Sequence, residues 1–572
     1  MLRELLRNWS PRANCNALCT QPQRHVRSGV IANHFAPLDV MRALSVIWLI
    51  VFHTWYIGMG MFEPFGYENE HDAHVANGVL LVQNKWWAGP VLMGQLAVDS
   101  FFLLSGFLTA YIALREQQKR AAPLRIWRFV SRRVLRILPG LLAALVIYVA
   151  LTGDAACKTN GGWWHTLLFF NNFDDTKDVC MLWTWSLCVE VQFYLVIAPL
   201  LALLWRSHFA QKALSVAMIV GCVGVRYALV VQHELRWPPV LAEYFGDNDG
   251  WVDTLYDTPW ARCGPLFMGV LVAVVHVERG AVGSWQRPRG ALRIAARWTL
   301  GLLSLLTIMV LGLTNVVGQI CDAPCSIAAA KWKSVVIDPP RFSHKCPALV
   351  PEPWGTLFYA SWRCIFAGAI AALLHLYLSA RSTGDDAVIA EGEETRSAAG
   401  SALLRPVRRC LRVAVASRLW YVTAQLSYAM YLLNPIAVGI TLQLLIPGIG
   451  GEGQHFADPA WLGAAAALAL LTSAIMAVLL YMLVERPMMG VIAMLRAKRD
   501  ASSGGSSEGF NKKDAGRTPF PGAQRRKLNA EMAQYSPGTR LFTDSPVAVR
   551  RSPRLAARSA GREREGVTPS FI

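Results

Sequence analysis

Residues 91–114 read VLMGQLAVDSFFLLSGFLTAYIAL, twenty-four residues with a single charge, Asp99. The segment that follows, as far as Arg136, holds Arg115, Lys119, Arg120, Arg125, Arg128, Arg132, Arg133 and Arg136. Wound as an α-helix, an apolar run of that length matches the hydrocarbon thickness of a bilayer, and a basic segment directly behind it marks the cytoplasmic side. The alternation recurs along the chain. Apolar blocks lie near Met41–Tyr56, Val91–Leu114, Ile137–Leu151, Trp185–Trp205, Ala213–Val231, Gly264–Val277, Trp298–Thr314, Leu357–Leu378, Leu419–Ile446 and Trp461–Val484. Behind the fourth block stand Arg206 and Lys212; behind the sixth Arg279, Arg287, Arg289, Arg293 and Arg297; behind the eighth Arg405, Arg408, Arg409, Arg412 and Arg418. The alternate segments are poor in such residues, with Lys85 alone in the first and none in Pro447–Pro459. The expectation is an all-α, polytopic membrane helical bundle of about ten transmembrane helices, both termini cytoplasmic.

Composition agrees. Of 572 residues 54% are hydrophobic and 16% charged, against roughly 25% charged in soluble domains, and the mean hydropathy is +0.32. A soluble enzyme, a disordered hub and a small disulfide-stapled secreted domain are excluded. The net charge of +18 resides in loops and tail rather than on one amphipathic face, which reads as topology and not as a nucleic-acid surface. Residues 1–36 are expected as a cytoplasmic N-terminal segment, rich in Arg and without the apolar core of a secretory signal; their composition leaves an organelle transit peptide open. Residues 37–495 form the transmembrane domain. Residues 496–572, rich in Ser, Gly, Pro, Lys and Arg, are expected as a disordered basic cytoplasmic tail, either simply solvated or resting on anionic membrane lipids. Five cysteines, Cys157, Cys180, Cys321, Cys325 and Cys346, fall in outward segments; the simplest pairing joins Cys157 to Cys180, and the other three stay open. There is no P-loop, GxGxxG or HExxH, and no metal is expected.

The first block, LDVMRALSVIWLIVFH from Leu38 to His53, places Arg42 and His53 eleven residues apart. At 100° per residue they project from one helix face, about 16 Å apart along the axis. Asp99 lies in the second block and Glu190 in the fourth, within LWTWSLCVEVQFYL. Ionisable groups at such depth are costly to bury without partners, which makes them functional candidates. An imidazole, a guanidinium and two carboxylates within the first four spans point to a polar cavity able to do acid and base work. A proton-coupled transporter would present the same residue types, so at this level both readings stand.

Four motifs decide further: Arg42 and His53 within LDxxRALxVxxVxxxH, the segment VDSFFLLSGFL, the run RRVLRILP from Arg132, and WSLCVEVQFYL from Trp185. Together they resemble membrane acyltransferase family 3, and the succession covers about Leu38 to Pro487 in the expected order. Later segments look more like its eukaryotic nose-resistant-to-fluoxetine-like branch: TPWARCGPLFMGVL around Arg262, TLFYASWRCIFAGAI around Arg363, LSYAMYLLNP from Leu426, and VERP from Val484. The resemblance implies a multi-pass protein of the plasma or secretory-pathway membrane. It also implies transfer of an acyl group, usually acetyl, from cytoplasmic acyl-CoA to a hydroxyl of a carbohydrate or lipid-linked acceptor at the outer face. His53 matches the family's essential histidine, Arg42 its paired arginine, and Arg132, Arg133 and Arg136 its CoA-side arginines; guanidinium forks suit CoA phosphates. In this reading His53 is the general base, with Asp99 or Glu190 as the carboxylate that orients its ring; a covalent acetyl-histidine relay is the second route. Two positions depart from the pattern. Asn434 stands where the family usually has histidine, and an amide carries no proton at neutral pH; Val191 replaces a second acid. No hydrolase-like domain is expected in the tail, so the bundle itself must complete the transfer. The competing readings are a transporter or lipid-handling protein on the same bundle without CoA chemistry, and an N-acetylating membrane enzyme acting on amino sugars.

Overall fold

The computed structural model describes residues 9–19, 36–58, 87–158, 162–174, 179–233, 252–282, 291–314, 353–382, 417–445 and 458–503. Every regular element among these residues is helical. A short helix α1 (Pro11–Cys19) precedes the long ones: α2 (Ala36–Gly58), α3 (Leu96–Arg120), α4 (Ile126–Thr152), α5 (Trp185–Leu203), α6 (His208–Gln232), α7 (Pro259–Val282), α8 (Ala291–Leu313), α9 (Trp354–Ser382), α10 (Arg418–Leu445), α11 (Pro459–Leu480) and α12 (Arg486–Ser503). Nine of the described stretches are long and apolar enough to cross a membrane, and the chain is a multi-pass membrane protein. The ninth expected span, Leu419–Ile446, is helical as far as Leu445 in α10 but is not among those nine; Gln425, Asn434 and Gln443 interrupt its apolar sequence. Helix α12 runs to Ser503, past the expected boundary at 495. The remainder of the tail, and Cys321, Cys325 and Cys346, lie outside the described residues, while Cys157 and Cys180 form a disulfide between the end of α4 and the approach to α5.

Depth in the bundle follows from sequence. The stretch containing α3 buries 78% of its apolar window, whereas that of α8 buries 11%, so α3 is central and α8 peripheral. Leu302, Leu303, Leu306 and Met309 on α8 are exposed accordingly. The tightest central contact is α3 on α7, and small residues cause it. A β-carbon on Gly106 would collide with the backbone carbonyl of Leu266, and one on Gly269 with that of Leu103. Ala110 and Ala273, each four residues further along, are fully buried. Elsewhere α2 packs on α10, α10 on α11, α6 on α7, and α8 on α9.

Prolines inside these helices create a recurring tie. A proline cannot donate to the carbonyl four residues earlier, and in an apolar setting that carbonyl needs another donor. Pro265 frees Ala261, whose carbonyl accepts from the Arg226 guanidinium of α6 at 3.3 Å. Arg226 also donates to Ala360 of α9 at 2.8 Å, so one buried side chain joins three helices. Pro487 frees Leu483 in the wide turn Tyr481–Glu485, and the indole of Trp9, beside α1, donates to it at 3.1 Å. The third case, Pro435, lies at the candidate site.

Candidate active site

His53 lies near the C-terminal end of α2, half-buried, with its Nδ1 hydrogen-bonded to Oδ1 of Asn434 on α10. Pro435 explains why Asn434 presents that oxygen. The proline removes the helical donor to the Tyr431 carbonyl, and the Asn434 side-chain amide donates there instead at 2.7 Å. A carbonyl can only accept, so the end of Asn434 facing Tyr431 is its NH2 and the end facing His53 is its oxygen. That oxygen also only accepts, so the hydrogen between the two side chains belongs to Nδ1. In a neutral ring Nε2 then carries the lone pair. Tyr431 is itself anchored, its hydroxyl lying 2.9 Å from that of Ser186 on α5.

A second cluster lies deeper, toward the end of the bundle that holds Arg42. Glu190 on α5 accepts from Ser105 of α3 and from Tyr194, one turn along α5. The guanidinium of Arg133 sits over the Tyr194 ring at 4.9 Å and the Phe129 ring at 5.0 Å. Arg42 is within electrostatic reach of Arg136, Asp39, Glu190 and Tyr194. Glu190 also reaches Tyr431, so it stands between the arginines and the His53–Asn434 pair. The polar groups therefore form a column through the bundle: arginines at one end, Glu190 midway, His53 toward the other.

The arginine run divides. Arg132 donates to Glu116 of α3 at 2.6 Å and to the Arg128 carbonyl at 2.9 Å, an ion pair that pins α4 to α3. Arg133 turns inward to Tyr194. Arg136 is exposed, within reach of Arg42 and of Glu485 on the wide turn. Asp99 lies in a separate constellation. Fully buried in the first turn of α3, it accepts from Arg363 of α9 at 2.8 Å and pairs with Arg262 of α7 at 3.5 Å. Among the described residues neither Asp99 nor Glu190 is hydrogen-bonded to His53; an amide holds the ring where a carboxylate was expected. The sequence pattern alone does not pair Asn434 with His53. The available signal was the Asn-Pro pair inside an apolar span, since a proline there leaves a carbonyl for its neighbour to satisfy.

Comparison with known proteins bears on this arrangement. A family model described as an acyltransferase domain, acyltransferase family 3, matches residues 35–481. Nose resistant to fluoxetine protein 6 of Caenorhabditis elegans is 25% identical over 328 residues, 52% of this chain and 38% of that protein. Regulator of hypoxia-inducible factor 1, also of Caenorhabditis elegans, is 24% identical over 268 residues, 42% of this chain and 51% of the relative. O-acetyltransferase OatA of Staphylococcus aureus (strain NCTC 8325 / PS 47) is 22% identical over 208 residues, 34% of this chain and 29% of the relative. The chain thus spans about half or less of each of these relatives. No solved structure matches it.

Proposed function

The chain belongs to acyltransferase family 3, and on that premise we propose that its bundle is an O-acyltransferase moving an acyl group, acetyl in the simplest case, from cytoplasmic acyl-CoA to a hydroxyl of a carbohydrate or lipid-linked acceptor at the outer face. The observation that carries the reading is the His53–Asn434 pair, because it leaves Nε2 as a base. In the proposed step the acceptor hydroxyl gives its proton to His53 Nε2 as its oxygen attacks the thioester carbonyl. The carbon–oxygen bond forms, the carbon–sulfur bond breaks, and the CoA thiolate leaves and takes the proton back from the imidazolium. Arg133, Arg136 and Arg42 suit the CoA phosphates. Arg132, already paired with Glu116, acts by holding α4 in place. Membership of the family and the similarity to OatA support acyl transfer as the class of reaction.

The test is transfer from labelled acetyl-CoA by the purified chain in nanodiscs, with CoA affinity measured in parallel. Asn434→Ala is expected to lower the transfer rate about 10- to 100-fold, part of the 10²–10⁴-fold that general base catalysis supplies, with CoA affinity unchanged. Arg133→Gln is expected to weaken CoA binding about 10-fold or more, the worth of one charge-assisted hydrogen bond. A transporter on this bundle would neither bind CoA nor respond to either substitution in this way.

A further inference from the structure

The constellation around Asp99 has no part in the step above, and its hydrogen bonding is incomplete. Arg262 is 1% exposed, yet among the described residues none of its three guanidinium nitrogens has a hydrogen-bond acceptor. Its ion pair with Asp99 Oδ1 spans 3.5 Å, and no described residue donates a hydrogen bond to that oxygen. The side-chain oxygen of Gln95, 2% exposed, accepts from Arg363, while its side-chain nitrogen has no acceptor among the described residues. Rings of Phe102, Trp185 and Tyr256 lie 5.7, 5.1 and 5.1 Å from the Arg262 guanidinium carbon. They answer its charge but offer no lone pairs in the plane of its five N–H donors. Two guanidiniums share the Asp99 carboxylate, and a third, Arg226, is within electrostatic reach of Arg262. Helices α3, α5 and α7 meet here through Asp99, Trp185 and Arg262.

A buried fork of donors with excess positive charge is the complement of an oxyanion. We infer that Arg262 and Gln95 bind a phosphate group, with Asp99 Oδ1 accepting from a hydroxyl on or beside it. Two chains of contacts connect this cluster to the elements that hold His53. Gly94, next to Gln95, packs against Phe52, next to His53. Ser186, next to Trp185, hydrogen-bonds Tyr431, whose carbonyl orients Asn434. Resting on the acyl-transfer reading, the phosphate belongs to the acceptor, held so that its hydroxyl meets Nε2. Phosphate binding itself stands without that reading.

The experiment uses the full chain in a phosphate-free maltoside detergent and a buffer without phosphate or sulfate. Three probes are titrated while thermal stability and binding isotherms are recorded: inorganic phosphate, dihexanoyl phosphatidic acid, and dihexanoylglycerol as the neutral control. A phosphate-bearing probe is expected to stabilise the wild type, and the neutral lipid is not. Binding of phosphatidic acid alone assigns the group to a lipid headgroup; binding of inorganic phosphate as well assigns it to phosphate from either source. Arg262→Gln is expected to weaken binding about 10-fold or more. Arg262→Lys, which keeps the charge and loses the fork, falls between. Asp99→Asn removes the internal counter-charge and is expected to tighten binding several-fold, an effect a purely structural ion pair would not produce. If Arg262→Gln does not fold, the last two variants carry the test. Equal affinity in wild type and Arg262 variants, or no stabilisation by either phosphate, overturns the proposal. Thioester turnover is scored separately, so a chain that binds phosphate without cleaving acetyl-CoA contradicts the acyl-transfer reading alone.

Discussion

Replacing His53 with glutamine is expected to lower acyl transfer by about 10²–10⁴-fold, the contribution of a positioned general base, while leaving CoA affinity as it is. Glutamine keeps a comparable volume and can donate an N–H to Asn434 Oδ1, so the contact between α2 and α10 survives. What it cannot do is take a proton at neutral pH. The donor-binding arginines are not disturbed, because Arg42 lies about 16 Å along the same helix and the others are on α4. The rate and the donor affinity must therefore separate: a fall in kcat at constant Kd for CoA. An equal loss of both would place His53 in binding rather than in chemistry.

The largest effect on stability is expected at Gly269. Helices α3 and α7 meet backbone to backbone there, and a β-carbon on Gly269 would strike the Leu103 carbonyl and lie 2.5 Å from the Phe107 nitrogen. Overpacking a core ordinarily costs about 1–3 kcal/mol because side chains shift. Here the opposing atoms are main chain within a continuous helix, so relief requires the two helices to separate. Separation would carry Asp99 away from Arg262, opening the central charged constellation. Gly269→Val is expected to give no monodisperse folded protein, read by size-exclusion profile and thermal unfolding. Gly463→Val on α11, where no described residue lies within 4 Å of an added β-carbon, is expected to behave as wild type.

These two sites differ in how far a reader of the chain could foresee them. His53 and Arg42 share one helix face by arithmetic alone, and apolar blocks with basic flanks outline most of the bundle. Tyr194 lies one turn after Glu190, so their contact was also within reach of helical spacing. Pairing across helices was not. His53 and Asn434 are 381 residues apart, and an amide at a position where the family usually has histidine reads as a loss until Pro435 shows what orients it. Three neighbouring arginines look alike in a string; only the fold gives Glu116 to Arg132 and the Tyr194 ring to Arg133. Asp99 reads as a catalytic carboxylate by depth, but its first-turn position on α3 turns it to Arg363 and Arg262. Gly269 is one of 44 glycines, and which of them touches a neighbouring backbone is a tertiary fact.

The central claim, that this bundle cleaves an acyl-CoA thioester with His53 as base, is tested most directly by release of free CoA. Purified wild type and His53→Gln in nanodiscs are given acetyl-CoA, with and without a carbohydrate or lipid-linked acceptor, and the liberated thiol is followed with a thiol-reactive reporter. The account predicts steady thiol release by wild type, faster with acceptor, and none above background from His53→Gln although it still binds CoA. Wild type that neither binds acetyl-CoA nor releases thiol, or His53→Gln that releases it at the wild-type rate, would contradict the account.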